Sequence, residues 1–175
     1  MDLKSHIREI PDFPRPGIGF KDITTLMAHP GALEAAVSGL ADRVRGKDAD
    51  LVLAAEARGF LLGPALARDL GAGFVLARKP GKLPHETVRA EYQLEYGTDS
   101  LEIHSDAVAP GARVVVHDDL LATGGTAKAC CELVEKLGGE VVACAFLAEL
   151  TFLGGRSRLA GYDVRSLVRY DEDEG

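Results

Sequence analysis

The sequence predicts an α/β fold, a parallel twisted sheet flanked by helices. Three observations carry that prediction. Aliphatic strand patterns alternate with helical patterns along the chain, the order that builds a parallel sheet through right-handed crossovers. Val114, Val115 and Val116 form a β-branched run, which suits a strand covered on both faces. The strand patterns at 51–55, 74–77 and 114–116 each give way to a charged cluster, and ligands of open parallel sheets sit beyond the carboxyl ends of strands.

At 175 residues the chain suits one domain, spanning residues 1–175, with a sizeable core. A net charge of -7 without a basic stripe argues against nucleic acid as a partner. Cys130, Cys131 and Cys144 are odd in number and include a neighbouring pair, so they read as free cytosolic thiols. The first ten residues are polar and charged, unlike a signal peptide, and no apolar run reaches transmembrane length. Residues 171–175 read as a solvated acidic tail.

In chain order, residues 3–10 read as one short helix stopped by Pro11. Pro11, Pro14 and Pro16 force an extended path, so residues 1–29 form an N-terminal arm. Leu33, Val37, Leu40 and Val44 recur at helical spacing across residues 30–45. Residues 51–55 form a buried strand, followed by Glu56-Ala57-Arg58-Gly59-Phe60 and a helix through Leu70 that Gly71 stops. A third strand at 74–77 ends in Arg78, Lys79 and Lys82, cations that are usually solvated but at a strand end suit a diphosphate. Residues 85–104 read as a two-stranded ribbon that turns at 97–100, within a mobile lid at 83–105. A helix at 125–137 faces Ala129, Cys130, Leu133, Val134 and Leu137 inward and ends at Gly138 or Gly139. Strands at 141–147 and 164–168 follow, the last at an edge.

The chemistry centres on residues 113–126. Asp118 and Asp119 close the valine strand at an exposed end with adjacent carboxylates. Ala122, Thr123, Gly124, Gly125 and Thr126 then lead into the helix. Such a turn is an anion site, because free N–H groups and the helix dipole point at the ligand. Two acids would repel a bare phosphate there. They fit sugar hydroxyls, or Mg²⁺ carried in with a polyphosphate. His117 sits in the same strand. A metal or general-base role competes with that of a neutral core histidine, and strand alternation, which turns it away from Asp118, favours the core. Arg58 taken alone reads as a surface ion pair.

Asp118-Asp119-Leu-Leu-Ala-Thr-Gly-Gly-Thr resembles the phosphoribosyl pyrophosphate (PRPP) motif of type I phosphoribosyltransferases; it is not a Walker A loop, since no Gly-Lys-Ser/Thr follows. Further segments are similar to the adenine-specific branch of that family: Pro16-Gly17-x-x-Phe20-Lys21-Asp22-Ile23, Glu56-x-Arg58-Gly59-Phe60, Arg78-Lys79-x-Gly81-Lys82-Leu83-Pro84 and Leu94-Glu95-Tyr96-Gly97. The resemblance covers essentially the whole chain. It implies the type I phosphoribosyltransferase fold, with a ribbon lid and a small N-terminal base-binding arm, in a homodimer of the cytoplasm. It implies transfer of the phosphoribosyl group of PRPP to adenine, giving AMP and pyrophosphate, with Mg²⁺ as cofactor. PRPP would meet Arg58, Arg78, Lys79, Lys82, Asp118, Asp119 and residues 122–126, and Mg²⁺ would come through PRPP and the two acids. Adenine would meet Gly19, Phe20, Lys21 and Leu120, with Glu95 and Arg58 catalytic and Glu95 handling the proton at the base. The chain departs from the family at Gly19 and His117, where aliphatic residues are usual. The alternatives are transfer to a 6-oxopurine or orotate, against which the N-terminal arm argues, and a PRPP-sensing regulator, for which the chain has no spare length.

Overall fold

The computed structural model describes residues 1–93 and 97–172. In chain order they form β1 (Arg8–Ile10), β2 (Phe20–Asp22), α1 (Thr24–Met27), α2 (Pro30–Val44), β3 (Leu51–Ala55), α3 (Gly63–Leu70) and β4 (Gly73–Ala77). Then come β5 (Thr87–Gln93), β6 (Thr98–His104), β7 (Arg113–Leu121), α4 (Gly125–Lys136), β8 (Glu140–Leu150), α5 (Gly155–Arg158) and β9 (Val164–Tyr170). The main sheet has five strands in the order β4-β3-β7-β8-β9. All its pairings are parallel.

The alternation of β7 shows why both faces of the sheet are covered. Val115 joins a core with α2, α3 and the inner residues of β8, while Val114 and Val116 join a second core with α4 and Phe146. Buried on both sides, the strand needs no polar face, hence its unbroken valine run. The second core also takes Ala90, Leu101 and Ile103 from the antiparallel ribbon β5–β6. α3 ends as expected at Gly71, whose φ of 69° is the left-handed region that favours glycine.

Three expectations need correction. Residues 3–10 are not one helix: a single 3-10 turn at Lys4–His6 gives way to β1, which pairs with β2. The partner strand lies past three prolines, too far for local periodicity to reveal. The expected turn at 97–100 is shorter, because residues 98–100 are strand with Thr98 paired to Gln93, and of that stretch only Gly97, at φ 87°, lies outside the strands. Nor do Asp118 and Asp119 end their strand at an exposed position. β7 runs on to Leu121, paired with Glu149 of β8, and Asp119 is only 3% exposed. Strand β9 is an edge strand, as expected.

Candidate active site

The chain passes β3 and β4 on one side of the sheet, then returns to lay β7 on the other side of β3. That reversal opens a crevice at the carboxyl ends of β3 and β7, the place where open α/β sheets bind ligands. Two loops meet across it. Arg58 follows β3, and its Nη2 lies 2.5 Å from Asp119 Oδ2 of β7. The contact is a close ion pair rather than a well-aligned hydrogen bond.

Arg58 also reaches the N-terminal arm. Nη2 donates to the Lys21 carbonyl at 3.3 Å, and the guanidinium lies 4.7 Å from the centre of the Phe20 ring. Phe20 in turn meets Phe13 edge to face at 5.1 Å. The Lys21 side chain is turned inward, with Nζ 3.1 Å from Glu9 and 4.3 Å from the centre of the Tyr170 ring. Arg58 therefore joins the arm to the acid pair.

Two of the cations after β4, Arg78 and Lys79, are tied down as well. Glu56 Oε1 accepts from the Lys79 N–H at 2.6 Å and from Arg78 Nε at 3.2 Å, locking the loops after β3 and β4 together. The Lys79 ammonium donates to Tyr92 Oη at 2.8 Å and to Asp99, both on the ribbon. Lys82 is exposed.

Asp118 is partly buried, accepts from the Asp119 N–H at 2.9 Å and packs against Gly59, where a Cβ would come within 3.2 Å of its Oδ1. Burial first, and the neighbouring Asp119 second, hold its carboxyl well above the usual carboxylate range. The next segment forms a cavity lined by Leu120 and residues 121–127, including Ala122, Thr123, Gly124, Gly125 and Thr126. Gly124 takes φ 86°, and a Cβ there would lie 2.6 Å from the Gly155 carbonyl. Only glycine allows this turn and so opens the start of α4, whose first N–H groups have no partner within the helix, to a ligand. Arg158, Tyr92 and the Gln93 carbonyl all crowd Gly125. No local pattern signals that α5 and the ribbon both reach the turn, because their approach depends on tertiary packing alone. Gly19 precedes β2 in the arm, while Glu95 lies outside the described residues.

His117 is 1% exposed. Its Nδ1 lies 2.9 Å from the Ala145 carbonyl, which can only accept, so Nδ1 carries the proton. Burial lowers its pKa from 6.5 to about 4 and keeps the ring neutral. The group's folded value lies below its unfolded one, so the unfolded chain gains the proton first as pH falls from 6.5 towards 4, and stability is lost there. His117→Val should therefore keep near-normal turnover and show less loss of melting temperature over that interval. Thermal unfolding across pH, beside steady-state kinetics, checks both; a loss of turnover like that of an acid-pair variant would make the histidine functional.

A cavity at a helix start, an acid pair and a cationic loop lie at the carboxyl edge of one sheet, and the chain matches a known domain. The phosphoribosyl transferase domain model fits residues 23–167, and the chain belongs to the phosphoribosyltransferase family. Its relatives there include the adenine phosphoribosyltransferase of Rubrobacter xylanophilus, 60% identical over 171 residues, covering 97% of this chain and 92% of that one. The crystal structure of the Thermoanaerobacter pseudethanolicus adenine phosphoribosyltransferase superposes with a TM-score of 0.94 at 58% identity, covering 97% and 98% of the two chains. The Saccharomyces cerevisiae enzyme, solved with an imino-altritol bisphosphate and adenine, gives 0.89 at 40% identity, covering 93% and 94%.

Proposed function

We propose that the chain transfers the 5-phosphoribosyl group of PRPP to adenine, releasing pyrophosphate and giving AMP for purine salvage. The observation that carries this reading is the reach of Arg58. One side chain touches both the arm matching the family's base-binding segment and the acid beside the phosphate cradle. On this reading base and sugar sites are neighbours, as substitution at the anomeric carbon requires. The relatives named above, one of them holding adenine, support the same reading.

Each group then has a task. Residues 122–126 anchor the 5′-phosphate, and that distant binding positions the reacting carbon. Asp118 and Asp119 accept from the ribose hydroxyls, close to the anomeric carbon and ring oxygen over which positive charge spreads in an oxocarbenium-like transition state. Arg78, Lys79 and Lys82 neutralise the departing diphosphate, and Arg58 fixes the arm over the sugar. Phe20 and Leu120 pack on the base, main-chain groups of residues 19–21 read its edge, and Glu95 handles its proton. The ribbon excludes water at its outer end, its base being held in the core by Leu101 and Ile103.

No group of three acidic, histidine or cysteine side chains able to hold a metal occurs among the described residues. The acid pair alone suits Mg²⁺, which keeps water and phosphate oxygens as its other ligands. Bound with PRPP, the ion would supply charge neutralisation at the diphosphate. The free thiols fit the cytoplasm, and Leu61 and Leu76, 44% and 41% exposed, fit burial by a second copy in a homodimer. The test is formation of AMP from adenine and PRPP, followed by chromatography. AMP should accumulate with Mg²⁺ and stop on chelation. No AMP with the metal supplied would reject the reading, and full activity after chelation would reject the metal.

A further inference from the structure

Two of the cations on the diphosphate side, Arg78 and Lys79, each have a carboxylate partner, yet each keeps donors in reserve. Arg78 gives Nε to Glu56, and its Nη groups have no partner among the described residues. Lys79 gives one N–H to Asp99 and one to Tyr92. No third acceptor takes the remaining N–H among the described residues. Tyr92 and Asp99 face each other across the ribbon as a register pair, and Tyr92 Oη itself lies 3.3 Å from Asp99 Oδ2. The three side chains close a triangle. A lysine on a four-carbon stem otherwise samples many rotamers, and freezing it costs binding free energy.

We propose that Asp99 is a positioning residue for diphosphate binding: from the ribbon, together with Tyr92, it holds the Lys79 ammonium with one N–H left for the ligand. The inference rests on the reading that Lys79 serves the PRPP site. The lowered pKa of the Asp99 carboxyl, set first by its hydrogen bond from Lys79, keeps the holding group charged at neutral pH. The same contact ties the ribbon to the loop after β4. The diphosphate would thus meet a preformed corner made by two elements far apart in sequence.

The role separates from a merely structural one by coupling. Asp99→Asn should weaken the binding of Mg²⁺-pyrophosphate, measured by calorimetry, by about tenfold, since contacting charged groups couple at that scale. KM for PRPP should rise by a similar factor, while kcat and KM for adenine stay within about twofold. In a Lys79→Met background, Asp99→Asn should change pyrophosphate affinity no further. Asp99→Glu should recover part of the loss. If Asp99→Asn lowers the melting temperature too far, Tyr92→Phe removes the other hold and should shift pyrophosphate affinity the same way by about threefold. Unchanged or tighter pyrophosphate binding in Asp99→Asn would overturn the proposal, as would an equal loss with and without Lys79. Pyrophosphate binding needs no base, so wild-type protein that binds it but forms no AMP would reject the adenine reading alone.

Discussion

Asp118→Asn/Asp119→Asn should lower kcat/KM for PRPP by at least about 10²–10³-fold while the fold survives, since preorganised charge at the reacting centre is worth that much. The two positions contribute differently. Asp119 is buried and holds Arg58. Replacing it leaves the guanidinium without its carboxylate and loosens the link to the arm, so Asp119→Asn should lower the melting temperature of the ligand-free protein. No cation among the described residues pairs with the Asp118 carboxyl, and burial beside Asp119 raises its pKa well above 3.8. A folded value above the unfolded one means that stability is lost as pH rises from about 3.8 through the raised value. Asp118→Asn removes that loss. Its ligand-free melting temperature should match wild type in acid and exceed it at higher pH. Thermal unfolding across pH, with steady-state kinetics at neutral pH, reads both effects. An unchanged rate in the double variant would remove the pair from the mechanism.

The parts of this site legible in the sequence were those carried by contiguous residues. The valine run, the acid pair and the Thr-Gly-Gly-Thr turn lie within one β-strand and the start of one helix, so their order along the chain is their order in space. The strand and helix patterns likewise gave the parallel sheet and the side on which its loops gather. Contacts between distant segments were not legible. Arg58 read alone is a surface ion pair; its placement between Lys21, Phe20 and Asp119 depends on how the arm folds back through β1 and β2. Asp99 is one acid in a polar ribbon until Lys79 is seen against it. The expected exposed end for Asp118 and Asp119 failed for a related reason. Pairing with β8 carries β7 on to Leu121, and no local propensity marks where a partner strand stops.

Base choice should show the largest effect of all. Adenine presents an amino donor at carbon six and an acceptor at N1, and hypoxanthine and guanine reverse both. The Lys21 side chain is buried against Glu9 and Tyr170, and on the proposed reading main-chain groups of residues 19–21 read that edge. A peptide C=O and N–H cannot exchange roles as a side-chain amide can. The wrong base would leave two buried polar groups unpaired, at about 1–3 kcal/mol each. Sites of this kind reject mismatched analogues by about 10⁴-fold or more. Lys21→Ala should slow turnover yet preserve the preference. The direct measurement is pyrophosphate release with PRPP and adenine, hypoxanthine or guanine in turn. Adenine should exceed the other two in kcat/KM by about 10⁴-fold; comparable values for adenine and hypoxanthine would contradict the assignment and place the chain among enzymes of 6-oxopurines.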